Sequence, residues 1–265
     1  MKGRFVVAQM EGTSDPGKNV EKARKVVRWA KEEKKADMVL FPETFLNYVT
    51  SEITMEERVK LAQSLDGPFV KKMQEIALQY QTWIVFGMRE YAGEKNYNTI
   101  VVLDDQGKMV THYHKTHLYD AFSTKESDEF LAGDELFTPI ETPFGRIGLF
   151  VCYEARFPEI ARKLALEGAQ ILLMPTAWVQ GKRKREQLEI LASARALENT
   201  VYLLAANLCA GQCTGGSMII DPFGEILEQA EEEEKCLFAE IDTEDIDRIR
   251  NTLPSLRNRR DELYS

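Results

Sequence analysis

Histidine, tryptophan and cysteine are scarce in this chain of 265 residues, with three, three and four copies respectively. The cysteines are scattered and form neither a disulfide framework nor a zinc pattern, which favours a reducing compartment such as the cytoplasm. No apolar run approaches the roughly 18 residues of a membrane helix, and no signal peptide is evident at the start. The formal net charge is −9, which argues against nucleic acid or an anionic membrane as partner. The composition therefore predicts a cytoplasmic protein that binds neither.

Apolar strand-like runs alternate with amphipathic helical stretches along the whole chain, as in an α/β protein. The continuous run 38–41 is typical of a strand buried on both faces. Turns at 104–107 and 221–224 interrupt the alternation with hairpins, so mixed sheets fit better than a purely parallel one. No change in composition marks a linker. The sequence predicts one domain over residues 1–265.

One cysteine stands at a turn between a predicted strand and a predicted helix. The run Ile147 to Val151 is short and bulky, Cys152 follows it, and apolar residues then recur at helical spacing at Ile160, Leu164 and Leu166. We expect such a cysteine to be presented outward, with free backbone N–H groups that favour a thiolate and accept an oxyanion. The alternative is a buried, inert thiol.

Two other chemically useful side chains also follow predicted strands. Glu43 comes directly after the run 38–41, and Lys115 comes after the strand-like run 109–113. Ligand sites in open α/β sheets lie beyond the carboxyl ends of strands, so these side chains and Cys152 are expected at one site. These three groups together can hydrolyse an amide. The carboxylate acts as the base, the ammonium stabilises the oxyanion, and the thiol is the nucleophile.

Three segments resemble, in order and spacing, the signature segments of the nitrilase superfamily of carbon–nitrogen hydrolases. They are Phe41-Pro42-Glu43, Tyr113-His114-Lys115-Thr116-His117-Leu118 and Val151-Cys152-Tyr153-Glu154-Ala155-Arg156-Phe157-Pro158-Glu159. The segments 175–178, 194–199 and 216–224 are also similar to blocks of that family. The resemblance therefore runs the length of the chain.

This resemblance implies an α-β-β-α sandwich with mixed sheets and a cofactor-free Glu–Lys–Cys triad. Glu43 would act as general base and then acid, Lys115 would stabilise the oxyanion, and Cys152 would form a thioester acyl-enzyme. Many relatives carry a second glutamate eight residues before the Asp of a Gly-Asp pair. The pair Gly133-Asp134 makes Glu126 the match here, and Glu129 is the alternative. Such a carboxylate would hold Lys115 charged.

Several neighbouring side chains are candidates for substrate binding. Three aromatic residues either line the acyl pocket or serve as core aromatics: Tyr153, Trp178 and Tyr48, which lies in the loop after Glu43. Arg156 either binds a substrate carboxylate or, as the simpler expectation, forms a structural ion pair. The three histidines around the catalytic lysine offer too few ligands at a convincing spacing, so no metal site is predicted.

The predicted function is hydrolysis of a small amide to a carboxylate and ammonia. The pattern Cys-Tyr-x-x-Arg-Phe-Pro is similar to that of the amidase branches, such as omega-amidases and deaminated-glutathione amidases. N-carbamoyl hydrolysis and nitrile hydrolysis are alternatives within the superfamily. A Cys–His hydrolase using His114 or His117, and a non-catalytic scaffold of the same fold, are alternatives of other kinds. The resemblance also implies a homodimer or larger assembly, with the tail at about 251–265 in the interface.

Overall fold

A computed structural model of the chain describes residues 1–49, 54–122, 124–209 and 211–264, so residue 265 of the predicted tail lies outside the described residues. The strands are β1 Lys2–Glu11, β2 Met38–Leu40, β3 Trp83–Tyr91, β4 Asn96–Leu103, β5 Met109–His114, β6 Asp120–Ala121, β7 Thr124–Lys125, β8 Phe130–Leu131, β9 Ile140–Thr142, β10 Gly145–Leu149, β11 Ile171–Thr176, β12 Tyr202–Cys209, β13 Met218–Ile220, β14 Ile226–Gln229 and β15 Lys235–Asp242. The α-helices are α1 Pro16–Lys34, α2 Met55–Lys60, α3 Pro68–Tyr80, α4 Pro158–Leu166, α5 Lys184–Leu197 and α6 Glu244–Thr252. Within these ranges, no helix combines the length and apolar character needed to cross a bilayer.

The strands form two halves of mixed direction. In the first half, β1, β2 and β3 are parallel neighbours, while β4, β5 and β15 are joined by antiparallel pairing. In the second half, β10, β11 and β12 are parallel, and β9 and β13 lie antiparallel to them. The halves join where the end of β1 meets the end of β12, at Met10–Leu208 and Glu11–Cys209. Antiparallel pairs therefore interrupt the parallel order of the strands, as expected for mixed sheets.

Alternating side chains of the first half face two different cores. Phe5 and Val7 belong to a buried cluster shared with β10, β11 and β12, whereas Val6 and Ala8 belong to a cluster that includes residues of α1 and α3. The second half is covered on its outer face by α4 and α5, because Leu164 and Leu188 join the shared cluster. Helix, sheet, sheet and helix thus lie in layers, which confirms the predicted α-β-β-α sandwich.

Helix α1 shows why the local sequence folds as it does. Its first residue is Pro16, and the carboxylate of Asp15 accepts hydrogen bonds from the N–H groups of Gly17 (2.8 Å) and Lys18 (3.2 Å). These bonds satisfy donors that have no partner within the helix, and proline is favoured at the first helical position. The helix ends at Lys34, and the next residue, Lys35, adopts a left-handed conformation.

The segment after the cysteine differs from the prediction. Residues Cys152–Arg156 form a short 3-10 helix, and α4 begins only at Pro158. Ile160 and Leu164 are buried as expected, but Leu166 is 51% exposed. Positions 160 and 164 share a helix face because they are four apart, whereas position 166 is rotated away from that face.

Candidate active site

Glu43 lies just beyond β2, held by the neighbouring strand β3. The carbonyl of Pro42 accepts a hydrogen bond from the N–H of Gly87 (3.1 Å). A Cβ atom at Gly87 would stand 2.5 Å from the nitrogen of Thr44 and 2.7 Å from the Cα of Glu43. Only glycine therefore allows β3 to lie this close to the glutamate backbone.

Lys115 directly follows β5 and is fixed on both sides. Its N–H donates to the carbonyl of Asn98 (2.9 Å), and its carbonyl accepts from the N–H of Gly133 (2.9 Å). A side chain at Gly133 would collide with the carbonyl oxygen of His114. Gly133, which the family resemblance offered only as part of a marker, thus packs against the backbone of the lysine segment.

Cys152 occupies the turn between β10 and the 3-10 helix. Its φ is +48°, a left-handed conformation that is uncommon for residues other than glycine. The side chain is only 9% exposed. The turn therefore places the thiol at the wall of a cavity and not outward on the surface, as had been expected. The positive φ is a local strain of the kind that clusters at functional sites.

The side chains of these segments converge around the lysine ammonium. Lys115 Nζ lies 2.9 Å from Glu43 Oε1 and 2.8 Å from Glu126 Oε2. Asn98 Nδ2 donates to both carboxylates, at 2.7 Å to Glu43 and 3.0 Å to Glu126. The N–H of Ala177 donates to the other oxygen of Glu43 (2.8 Å). Burial alone would lower the pKa of Lys115, but the two carboxylates outweigh it and raise that pKa well above its usual value.

The two candidate glutamates of the 126–129 segment have different partners. Glu126 contacts Lys115 as described above. Glu129 instead pairs with Arg89, at 2.6 Å from Nε, and with Arg58 at 3.5 Å. The structure therefore brings Glu126, not Glu129, to the lysine.

The thiol does not have the electrostatics that the sequence predicted. Burial and the nearby Glu43 carboxylate raise the pKa of Cys152 well above its ordinary value, although Lys115 acts in the opposite direction. The expectation that the turn favours a thiolate was wrong, because desolvation disfavours the charged form. A thiol whose pKa is raised in this way needs a base to remove its proton before it can react as a thiolate.

Glu154 joins the cysteine segment to the lysine segment through hydrogen bonds. One carboxylate oxygen accepts from Tyr113 Oη (2.7 Å), from the N–H of Thr116 (2.8 Å) and from Thr116 Oγ1 (2.6 Å). The other oxygen accepts from the N–H of Val151 (2.6 Å). Burial would raise the pKa of Glu154, but these hydrogen bonds and one from His117 lower it below its usual value.

Glu43, Glu126, Lys115 and Cys152 line one cavity of about 480 Å³. The predicted substrate-binding residues Tyr48, Tyr153 and Trp178 also line it, as does Val49. The charged side chains of the wall are six cations and three carboxylates: Arg58, Arg89, Lys115, Lys125, Arg156 and Lys184 against Glu43, Glu126 and Glu129. This excess of positive charge contrasts with the net charge of −9 for the whole chain.

Arg156 forms no ion pair with any of the described residues, contrary to the simpler expectation. Its Nη2 donates to Gln187 Oε1 (2.8 Å), and its guanidinium carbon lies 5.1 Å from the centre of the Trp178 ring. Because it also lines the cavity, this cation is available to an anionic ligand.

The histidines have partners away from the thiol. His114 Nε2 lies 2.8 Å from Glu90 Oε2 and its ring stacks on Tyr97, while His117 Nδ1 lies 2.8 Å from Thr116 Oγ1. The described residues that line the cavity include no histidine. This placement gives no support to a Cys–His pair.

Sequence reasoning missed Asn98 and Lys184. Asn98 was detectable only in part: it lies in the polar first half of a strand whose second half, 100–103, is apolar, and a polar side chain buried there requires partners. Lys184 carries no such signal, because it begins a helix within a charged stretch that is typical of a solvated surface. It is nevertheless 93% buried, with only 7% of its surface exposed.

Comparison with known proteins places this geometry in a family. Residues 6–251 match the profile described as carbon–nitrogen hydrolase. The deaminated glutathione amidase of Escherichia coli O157:H7 is 39% identical over 203 residues, which cover 76% of this chain and 77% of that protein. The nitrilase and fragile histidine triad fusion protein NitFhit of Caenorhabditis elegans is 33% identical over 275 residues, covering 98% of this chain. The chain spans only 61% of that fusion protein's length.

Solved structures agree with this assignment. The crystal structure of the C. elegans NitFhit protein superposes with a TM-score of 0.92 at 32% identity, covering all of this chain and 66% of that one. A mutant of the amidase from Nesterenkonia sp. AN1, with acrylamide added at its active-site cysteine, superposes with a TM-score of 0.81 at 25% identity, covering 99% and 98% of the two chains. The chain therefore belongs to the carbon–nitrogen hydrolase family of the nitrilase superfamily and is an amidase-like enzyme.

Proposed function

We propose that this enzyme hydrolyses the C–N bond of a small amide through a thioester on Cys152, with Glu43 and Lys115 completing the triad. The observation that carries the proposal is the meeting of these three buried side chains at one cavity, with Lys115 Nζ 2.9 Å from Glu43 Oε1. Because the pKa of the thiol is raised, the adjacent carboxylate has a defined task as general base.

The reaction then proceeds in two balanced halves. Glu43 takes the proton of the thiol as its sulfur attacks the carbonyl carbon, and Lys115 stabilises the oxyanion. The C–N bond breaks as the protonated Glu43 gives that proton to the nitrogen, so that ammonia or an amine leaves and a thioester remains. Glu43 next removes a proton from water, whose oxygen attacks the thioester carbon. The C–S bond breaks, the proton returns to sulfur, and the carboxylate product leaves. Glu126 supports Lys115 as its second carboxylate partner.

The charge of the cavity wall supports an acidic amide as substrate. Arg156 follows the nucleophile by four residues, lines the cavity and lacks a carboxylate partner among the described residues. We propose that it binds a carboxylate of the substrate. The name deaminated glutathione amidase, carried by relatives, refers to an amide of this acidic class.

Hydrolysis is tested with a panel of amides. It holds omega-amides of dicarboxylic acids, neutral aliphatic amides, N-carbamoyl amino acids and a nitrile, and product release is compared for wild type, Cys152→Ala and Glu43→Gln. We expect acidic amides to be cleaved, and both variants to lose at least about 10³-fold in kcat. Mass spectrometry of the quenched enzyme should find the acyl group on the Cys152 peptide. The matched control is Cys236→Ala, which should retain activity. Hydrolysis that survives in Cys152→Ala contradicts the proposal.

We also propose that the chain forms a homodimer or larger assembly and works in the cytoplasm. Apolar side chains are exposed along α4, α5 and the tail: Leu166, Ile190, Leu197 and Tyr264. Covering such a surface by a second copy would remove it from water. Light scattering at micromolar concentration should give at least twice the chain mass, and a monomer mass contradicts this part of the proposal.

A further inference from the structure

Lys184 is a buried cation at the wall of the catalytic cavity. Its ammonium lies 4.4 Å from the ring centre of Phe122, 5.0 Å from that of Tyr119 and 5.7 Å from that of Trp178. Its Nζ donates one hydrogen bond, to Tyr119 Oη at 2.8 Å. The backbone is fixed as well, because the carbonyl of Lys184 accepts from Trp178 Nε1 (2.9 Å). The aromatic faces hold this cation in one place.

This ammonium lacks an anionic partner within the described part of the chain. Burying a charge without a counterion is unfavourable, and interactions with aromatic faces offset only part of that cost. An ammonium carries three donors, of which one is used here. The hydroxyl of Tyr119 accepts from Lys184 and donates to no acceptor within the described residues, so its proton is available to a ligand. The pair therefore offers unused donors at the cavity wall.

Most other cations of the wall differ from Lys184, because they have carboxylate partners. Lys115 has two carboxylate partners, Arg89 has Glu129, and Lys125 pairs with Asp128 at 3.2 Å. Arg156, the proposed receptor for one substrate carboxylate, lies near the same indole ring of Trp178 that Lys184 approaches. Two cations without carboxylate partners among the described residues thus lie near one aromatic ring, and each can bind its own anionic group.

We propose that Lys184, with the Tyr119 hydroxyl, is a second anion subsite of the cavity, and that the substrate is an amide with two carboxylates. This inference rests on the proposed function for the identity of the reacting bond. Binding at the subsite does not depend on turnover. Arg156 binds one carboxylate and Lys184 the other, so an amide that carries both is preferred over an amide that carries neither.

Equilibrium binding tests the subsite without turnover. In the Cys152→Ala background, calorimetry compares two ligands: the monoamide of glutaric acid with glycine, which has a carboxylate on each side of the amide, and a neutral N-alkyl amide of the same length. Lys184→Met should raise the dissociation constant of the dicarboxylate by about 10- to 100-fold, the usual range for a hydrogen bond to a charged group. The neutral amide should change by less than about twofold. Tyr119→Phe, which removes only the accepting hydroxyl, should give a smaller loss in the same direction.

Lys182→Met is the matched control, because Lys182 is an exposed lysine two residues away whose loss changes the net charge equally. It should leave both dissociation constants unchanged. A Lys184→Met variant that binds the dicarboxylate as tightly as its parent overturns the inference, as does an equal loss for both ligands. If wild type hydrolyses no amide, the proposed function fails while these binding constants still decide the subsite. If wild type hydrolyses amides and the binding constants show no selective effect, only the subsite fails.

Discussion

Replacing Glu154 by glutamine tests how much the hydrogen bonds between the cysteine segment and the lysine segment contribute to stability. The carboxylate accepts hydrogen bonds on both oxygens, from Val151 on one and from Tyr113 and Thr116 on the other. Glutamine has nearly the same shape, but it has one acceptor and one NH₂ group. Whichever way it turns, a donor of the amide must face a donor of the protein.

The less costly orientation turns the NH₂ group toward the N–H of Val151 and keeps the oxygen toward Tyr113 and Thr116. A buried donor without a partner costs about 1–3 kcal/mol, and loss of the charge weakens each remaining hydrogen bond by roughly half. Together these changes lower the free energy of unfolding by about 2–5 kcal/mol. For a chain of this size, that corresponds to a fall of roughly 5–15 °C in melting temperature.

Urea unfolding, followed by circular dichroism and repeated across pH, measures both the size and the charge dependence of this effect. The folded pKa of Glu154 is lowered below its ordinary value of 4.5. A carboxylate with a lowered folded pKa stabilises the fold above its unfolded pKa, and that contribution is lost as the pH falls through the folded pKa. The gap between wild type and Glu154→Gln should therefore be widest above pH 4.5 and should narrow in acid.

The control is Glu94→Gln, which makes the same chemical change at an exposed turn. It should alter the free energy of unfolding by less than about 0.5 kcal/mol. A loss below about 1 kcal/mol for Glu154→Gln at neutral pH would refute the reasoning, and so would a gap that widens in acid.

Three further predictions concern the site itself. Gly87→Ala drives a methyl group against the backbone of Glu43, so kcat on a cleavable amide should fall roughly 10- to 100-fold; kinetics equal to wild type would contradict the steric argument. Asn98→Asp places a third carboxylate beside Glu43 and Glu126, and kcat/KM at neutral pH should fall at least about tenfold; a pH–rate profile unchanged from wild type would show that the amide hydrogens are unimportant. Alkylation of Cys152 by iodoacetamide, followed by peptide mass spectrometry, should keep rising beyond about pH 9, because burial raises the pKa of the thiol; a plateau near neutrality would reveal a stable thiolate.

Local sequence patterns were sufficient to predict mixed sheets packed between helices and the positions of three side chains of the candidate site, whereas the family resemblance implied the α-β-β-α sandwich. Glu43, Lys115 and Cys152 each follow a strand, and the carboxyl ends of neighbouring strands meet at one edge of a sheet. Because this rule acts through short segments, one sequence can reveal it. The preference for Glu126 over Glu129 came instead from the family resemblance, through the spacing that relatives show before a Gly-Asp pair.

Other properties arose only from contacts between distant segments. Asn98 reaches Glu43 across 55 positions, and Ala177 reaches it across 134. The raised pKa of Cys152 depends on how completely the folded protein excludes water, which no local pattern specifies. Lys184 has the sequence context of a surface residue, yet the fold encloses it among aromatic rings. The sequence by itself therefore determined which side chains follow the strands. Tertiary structure decided their charge environment and their partners, because desolvation and long-range hydrogen bonds exist only after the layers have packed.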